Sequence, residues 1–269
     1  KTTVATGLAL AADAPVRLVD CDVEEPNAHI FLRPDIEHVE TVEVLVPRVD
    51  ETKCTACGAC GRICRFNAIV SLKSTAMVFP ELCHGCGGCA LVCESGAITE
   101  VPREVGVVER GRAGEIAFVH GRLNVGEAMS PPLIRAVKAH AGGDGLTIID
   151  APPGTSCPVV TAVRGADFAI LVTEPTPFGL NDLKLAVEMV RALDVPAGVL
   201  INRADVGDDA VRDYCRDEGI ALVAEIAHDR RIAEAYSRGI PAVEALPELR
   251  AVFRDVLDAV GRHVRRGPS

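Results

Sequence analysis

The chain has 269 residues, 48% of them hydrophobic, enough for one α/β domain carrying a small insert. Its formal net charge of −10 argues against nucleic-acid or anionic-membrane binding. No apolar run reaches the ~18 residues of a bilayer span, and with 3% aromatic residues and no Trp the core must be aliphatic.

In chain order, Lys1-Thr2-Thr3 leads into an apolar segment that reads as a helix over 2–12. A phosphate-binding loop ends G-K-[ST] and runs directly into a helix. Lys1 is therefore read as the lysine of such a loop, with its glycine-rich part and first strand upstream of this chain. Val16-Arg17-Leu18-Val19-Asp20 reads as a strand ending in an acid, followed by Cys21-Asp22-Val23-Glu24-Glu25-Pro26-Asn27. Asp20 is expected as a strand-end acid, and Glu24 and Glu25 as solvated.

The segment 48–100 holds eight of the eleven cysteines. Cys54, Cys57, Cys60 and Cys64 have the spacing C-x2-C-x2-C-x3-C, and Cys83, Cys86, Cys89 and Cys93 repeat it. That spacing binds cubane [4Fe–4S] clusters in two-cluster ferredoxins, where the fourth cysteine of each run serves the other cluster. The expected sets are Cys54, Cys57, Cys60 and Cys93, then Cys83, Cys86, Cys89 and Cys64. A single CxxC could be a zinc site or a redox dithiol; two complete copies disfavour zinc. Such runs suit a reducing cytoplasm rather than a disulfide framework. His84, inside the second run, is expected on an exposed loop.

Residues 101–125 read as hairpin strands, and Pro131-Pro132 can open a helix reaching about His140. Strands are expected at 145–150, 167–173, 197–201 and 220–226, and helices at about 178–193, 208–218, 229–238 and 247–265. Leu180, Leu183, Val187, Val190 and Leu193 form one apolar helical stripe. Val252, Val256, Leu257 and Val260 form another, expected to pack on the sheet, ahead of a frayed tail at 265–269. This alternation implies right-handed βαβ units and a parallel sheet covered by helices on both faces. Asp150 ends one strand, before Ala151-Pro152-Pro153-Gly154. Acids at the C-terminal ends of parallel strands sit where open α/β sheets bind nucleotides.

The ordered set of K-T-T, D-C-D-V-E-E-P-N, I-I-D-A-P-P-G-T-S-C-P, V-T-E-P-T-P-F-G-L-N-D-L (172–183) and D-R-R-I-A-E-A-Y-S-R-G (229–239) resembles the MinD/ParA/Mrp class of P-loop ATPases. Within that class it resembles the branch carrying an inserted ferredoxin domain. The resemblance implies a mostly parallel, doubly wound α/β P-loop sheet at 1–47 and 101–269, with a ferredoxin-like insert at 48–100. It implies ATP hydrolysis in a nucleotide-sandwiched homodimer in the cytoplasm. Lys1 would bind the β- and γ-phosphates, and Thr2 the Mg2+ ion beside Thr3. Asp22 would orient the attacking water, Asp150 would hold the Mg2+ shell, and Asn202 would bond adenine. The class carries a signature lysine in its glycine loop that is absent from this chain. Relatives often have Ile-Pro where this chain has Ile226-Ala227, so the base pocket is expected to differ.

Cys21, Cys157 and Cys215 stand outside the two runs. Cys21 and Cys215 are expected to be buried. Cys157 follows Asp150 at the offset of a cluster ligand in the nitrogenase iron protein, but without the second cysteine such a site needs. A packed thiol is expected there. Two functions follow from the resemblance: electron transfer gated by ATP, with an unidentified redox partner, or delivery of Fe–S clusters to apo-proteins as in the Mrp branch.

Overall fold

The structure is a computed structural model describing residues 1–266, with side chains described through Val264. The tail expected at 265–269 lies largely outside that range. Helix α1 (Thr2–Ala11) is followed by β1 (Val16–Asp20), α2 (Ala28–Leu32) and the long strand β2 (Asp35–Val49). The cysteine-bearing stretch contains α3 (Ala59–Ile63), β3 (Ile69–Ser71), β4 (Ala76–Val78) and α4 (Gly88–Leu91). A second long strand, β5 (Ile98–Ala113), then turns into β6 (Ile116–Leu123). Alternation follows: α5 (Pro131–Lys138), β7 (Leu146–Asp150), α6 (Cys157–Val163), β8 (Ala169–Thr173), α7 (Pro177–Ala192) and β9 (Ala197–Asn202). The chain continues through α8 (Ala210–Asp217), β10 (Ala221–Ile226), α9 (Arg230–Ser237), α10 (Ala242–Ala245) and α11 (Leu249–Arg266).

Strand faces alternate, as a two-sided core demands. Val16, Leu18, Ile116 and Phe118 pack under α1, α10 and α11. Val19 and Val119 point to the other face, against Leu133, Ile134 and Val137 of α5. The α7 stripe buries Leu183 and Val187 against Val199 and Ile201. Among the described residues no helix is long and apolar enough to cross a membrane.

The expected continuous sheet is found as two. One has the order β2-β5-β6-β1-β7 and the other β10-β9-β8. β6, β1 and β7 are parallel, as are β8, β9 and β10, whereas β2, β5 and β6 pair antiparallel. β7 and β8 each keep one edge unpaired, yet Ile148, Ile170 and Val172 contribute to a single core.

The antiparallel ribbon sets the position of the cysteines. β5 pairs with β6 from Ala113 back to Gly106, opposite Leu123. From there β5 continues with β2 alone, to the Val49–Ile98 pair. At about 3.4 Å per residue the ribbon reaches about 25 Å past the sheet. It leaves by the edge at which β1 and β7 end in Asp20 and Asp150, which face each other in register.

Candidate functional site

Two groups of expected residues converge at that edge. Lys1 caps α1, and its Nζ donates to the Ala151 carbonyl oxygen at 3.1 Å. Partial burial pushes the Lys1 ammonium below its ordinary pKa, opposed by the charges of Asp150, Asp22 and Asp20. Asp150 is buried; desolvation raises its carboxyl, opposed by a hydrogen bond from the Thr2 hydroxyl. Its buried Oδ2 has no hydrogen-bond partner among the described residues. Asp22 is half-buried, and burial raises its carboxyl while Lys1 opposes the shift. The strand ends thus gather three carboxylates around one ammonium.

Asp20 does more than end a strand. It is fully buried and accepts hydrogen bonds from the backbone N–H groups of Asp22, Asn27 and Ala28, at 3.0, 3.2 and 3.1 Å. These bonds tie down both ends of the 22–28 loop, including Asp22 itself. Desolvation, and then repulsion from Asp150, push its pKa up to about 7.

Thr3 faces a separate cavity of about 240 Å³, also lined by Asn202, Arg203, Ala227, His228, Asp229, Ile232, Ala233 and Tyr236. Asn202 donates through Nδ2 to Glu174 Oε1 at 3.0 Å, and Arg203 pairs with the same carboxylate at 3.5 Å. Glu174 was not singled out from sequence, although it lies in the V-T-E-P stretch after β8.

In the cysteine lobe the two runs share a backbone. Left-handed residues recur at matching places: Ala56 (φ 53°) and Gly85 (φ 63°) before the second cysteine, Gly58 (φ 78°) and Gly87 (φ 69°) after it. Gly58 and Gly87 cap the two short helices α3 and α4. Cys54, Cys57, Cys60 and Cys93 line one cavity with Val49, Ser71, Ala76, Ser95 and Ile98. Cys89 lies near the charges of Cys83 and Cys86, and burial pushes its thiol up to about 11. Burial likewise raises Cys60. The fourth cysteines behave differently. Burial pushes Cys64 up, but N–H groups of Phe66, Ala68, Ile69 and Asn67 outweigh it and hold its pKa low. Cys93 is lowered by the Ser95 hydroxyl and then by the backbone of Ala97 and Ile98. His84 is exposed, as expected, and stacks on Phe66 with ring centroids 3.4 Å apart. Among the described residues no group of three or more His, Cys, Asp or Glu side chains converges closely enough to hold a metal ion.

Cys21 and Cys215 are buried, as expected. Cys157 is not packed: it opens α6 at the surface, directly after the exposed residues 153–156.

The fold and the acids at its edge define a class. The sequence pattern of the CobQ/CobB/MinD/ParA nucleotide-binding domain matches residues 1–242, and the chain belongs to that family. It is a P-loop ATPase of the MinD/ParA type. The uncharacterized proteins MJ0578 and MJ0579 of Methanocaldococcus jannaschii are 34% identical over 209 residues and 28% identical over 225 residues. These alignments cover 76% and 82% of this chain and 73% and 78% of the relatives. An iron-sulfur cluster carrier protein of Pyrococcus horikoshii is 32% identical over 111 residues, 36% of this chain and 38% of that protein. The septum site-determining protein MinD of the same organism, solved with Mg-ADP, superposes with a TM-score of 0.55 at 19% identity. That match covers 96% of this chain and 89% of MinD.

Proposed function

We propose that this ATPase holds two [4Fe–4S] clusters in its cysteine lobe and couples its nucleotide state to electron transfer through them. One observation carries the reading: Cys93, 33 positions after Cys60, lines the same cavity as Cys54, Cys57 and Cys60. This is the crossed set that the spacing calls for. The repeated left-handed residues support it, since such turns aim backbone N–H groups into anion-binding hollows used at Fe–S sites. The lowered thiols of Cys64 and Cys93 favour the thiolate, the ligating form. When bound, each cubane supplies one-electron redox chemistry.

At the nucleotide edge, the Lys1 ammonium would pair with the β- and γ-phosphates of ATP. The Thr2 hydroxyl and the unpartnered Asp150 Oδ2 fit a Mg2+ shell. Asp22 would orient the attacking water, held in place by Asp20. Asn202, with Glu174 fixing its amide, would read adenine in the cavity beside Thr3. The protein would work as a homodimer across this edge. Because the ribbon leaves from the same edge, closure on nucleotide would move the lobe with respect to the partner.

A second reading, cluster delivery, is favoured by the partial relatives called iron-sulfur cluster carrier proteins. Eight cysteines in two closed sets favour retention, because delivery needs labile ligation. Anaerobic reconstitution tests the shared core of both readings. About eight iron and eight sulfide per chain are expected. Cys54→Ser and Cys93→Ser should alter the same paramagnetic signal. Damage by Cys93→Ser to the set of Cys83, Cys86 and Cys89 would overturn the crossed assignment.

A further inference from the structure

The two cysteine runs sit differently on the ribbon. The cavity of Cys54, Cys57 and Cys60 lies beside Val49 and Ile98, the last pair of the ribbon. The second run folds back toward the sheet. A Cβ placed on Gly85 would lie 3.2 Å from the Leu45 carbonyl oxygen and 3.8 Å from the Val44 side chain. Val44 stands opposite Arg103, so both side chains share one face of the ribbon. From Val44 to Val49 is about 17 Å of strand, at about 3.4 Å per residue.

Arg103 ties that place to the body of the ATPase. Its guanidinium binds the Glu127 carboxylate through both terminal nitrogens, Nη2 at 3.3 Å. The Glu127 side chain is 2% exposed and also accepts from the Met129 N–H at 3.2 Å. The loop carrying Glu127 starts at the end of β6. There the Leu123 N–H donates to the Val23 carbonyl oxygen at 2.9 Å, next to Asp22. The following N–H, of Asn124, donates to the Val105 carbonyl oxygen of β5 at 2.9 Å. One short segment thus joins the 22–28 loop to Arg103. On the lobe side, Glu127 first, and then the charges of Glu81 and Cys83, hold the guanidinium above its ordinary pKa. The pair is bidentate and charge-assisted. Separating it would strand a buried carboxylate, which is strongly disfavoured, so the two side chains move together.

We propose that Glu127, acting through Arg103, is a positioning residue that makes the cluster of Cys83, Cys86, Cys89 and Cys64 the one that answers to nucleotide. The inference rests on the reading that the cysteines hold clusters and pass electrons. A cation beside a ligating thiolate favours the reduced, more negative cluster, because potentials follow nearby charge and hydrogen bonding. A displacement of Val23 when nucleotide binds would shift the guanidinium relative to Cys83. The set of Cys54, Cys57, Cys60 and Cys93 would not feel it: it lies about 17 Å farther along the ribbon, beyond the screening length of about 8 Å at physiological salt.

The test is a redox titration of the reconstituted full chain with and without Mg-ATP, followed by the paramagnetic signals of the two clusters. Cys54→Ser and Cys83→Ser assign the signals. In the wild type, Mg-ATP should change the oxidised-to-reduced ratio of the second cluster about tenfold at fixed potential, and that of the first by less than about twofold. Glu127→Gln should flatten the response while iron content and Mg-ATP affinity stay at wild-type values. Arg103→Gln/Glu127→Gln, which replaces the ion pair by two amides, should do the same without leaving a buried charge alone. Equal responses of the two clusters, a response confined to the first, or an unaltered response in both variants would overturn the proposal. Loss of iron from both variants would give the pair a merely structural role and overturn it too. A wild type that holds no iron, or in which neither cluster responds, would instead sink the electron-transfer reading and this inference with it, so the two failures are distinguishable.

Discussion

Asp20 and Asp22 stand two residues apart and have opposite environments. Asp22 faces the site with some solvent access, and Asp20 is sealed beneath the loop that carries it. Asp22→Ala should therefore lower ATP hydrolysis by about 10³, within the range of a lost proton-accepting group. Nucleotide affinity should change little, and undiminished turnover in a steady-state assay would remove Asp22 from the reaction. For Asp20 the expectation concerns stability. Its carboxyl goes from about 3.8 unfolded to about 7 folded, so across that interval the native state binds a proton that the unfolded chain has lost. The stabilisation is complete below the unfolded value and is lost as pH rises through 7. Three units bound the effect on the order of 4 kcal/mol. In protein free of nucleotide and Mg2+, the unfolding free energy of wild type relative to Asp20→Asn should fall between pH 4 and 7. A difference constant with pH would contradict the buried-acid account.

At the scale of elements, α1 and α11 pack together most tightly at Gly7. Phe253 is fully buried, and a Cβ placed on Gly7 would sit 2.3 Å from its ring. Gly7→Ala should gain about 1 kcal/mol of helix propensity and lose about 1–3 kcal/mol to overpacking. Net destabilisation by urea unfolding is expected, partly relieved when Phe253→Leu is added. Net stabilisation would show that the helices can move apart. Phe253→Ala alone should cost about 3–5 kcal/mol.

The β2–β5 ribbon also shows what the sequence could convey. The cysteine runs, K-T-T and D-x-D were legible because their chemistry is fixed by local spacing. The strands after 145 were legible because two-sided burial makes them apolar runs. β2 was not: both of its faces are largely exposed, and Glu37, His38, Glu40 and Glu43 obscure its alternation. The break between β7 and β8 and the pairing of Asn202 with Glu174 are contacts across long separations, and no local pattern encodes them. Phe253 was passed over for the Val-Leu stripe beside it. The packed environment expected for Cys157 failed: it stands at the first position of α6, after the exposed residues 153–156, and is itself exposed.

For the whole molecule, the ribbon fixes the mode of coupling. A lobe held about 25 Å beyond the proposed nucleotide edge cannot touch the phosphates, so any effect of ATP on it would pass through the ribbon or across the proposed dimer. Under the proposed function the coupling would be reciprocal: what nucleotide does to the lobe's redox equilibrium, the lobe's oxidation state would do to nucleotide affinity. A tenfold change in affinity corresponds to about 59 mV in a one-electron potential.

The most direct measurement is therefore a redox titration of the reconstituted protein, with and without Mg-ATP and beside an iron-transfer assay. The account predicts a nucleotide-dependent shift of potential with iron retained through repeated cycles. Potentials unmoved by Mg-ATP, together with complete transfer of one cluster to an apo-protein, would contradict it.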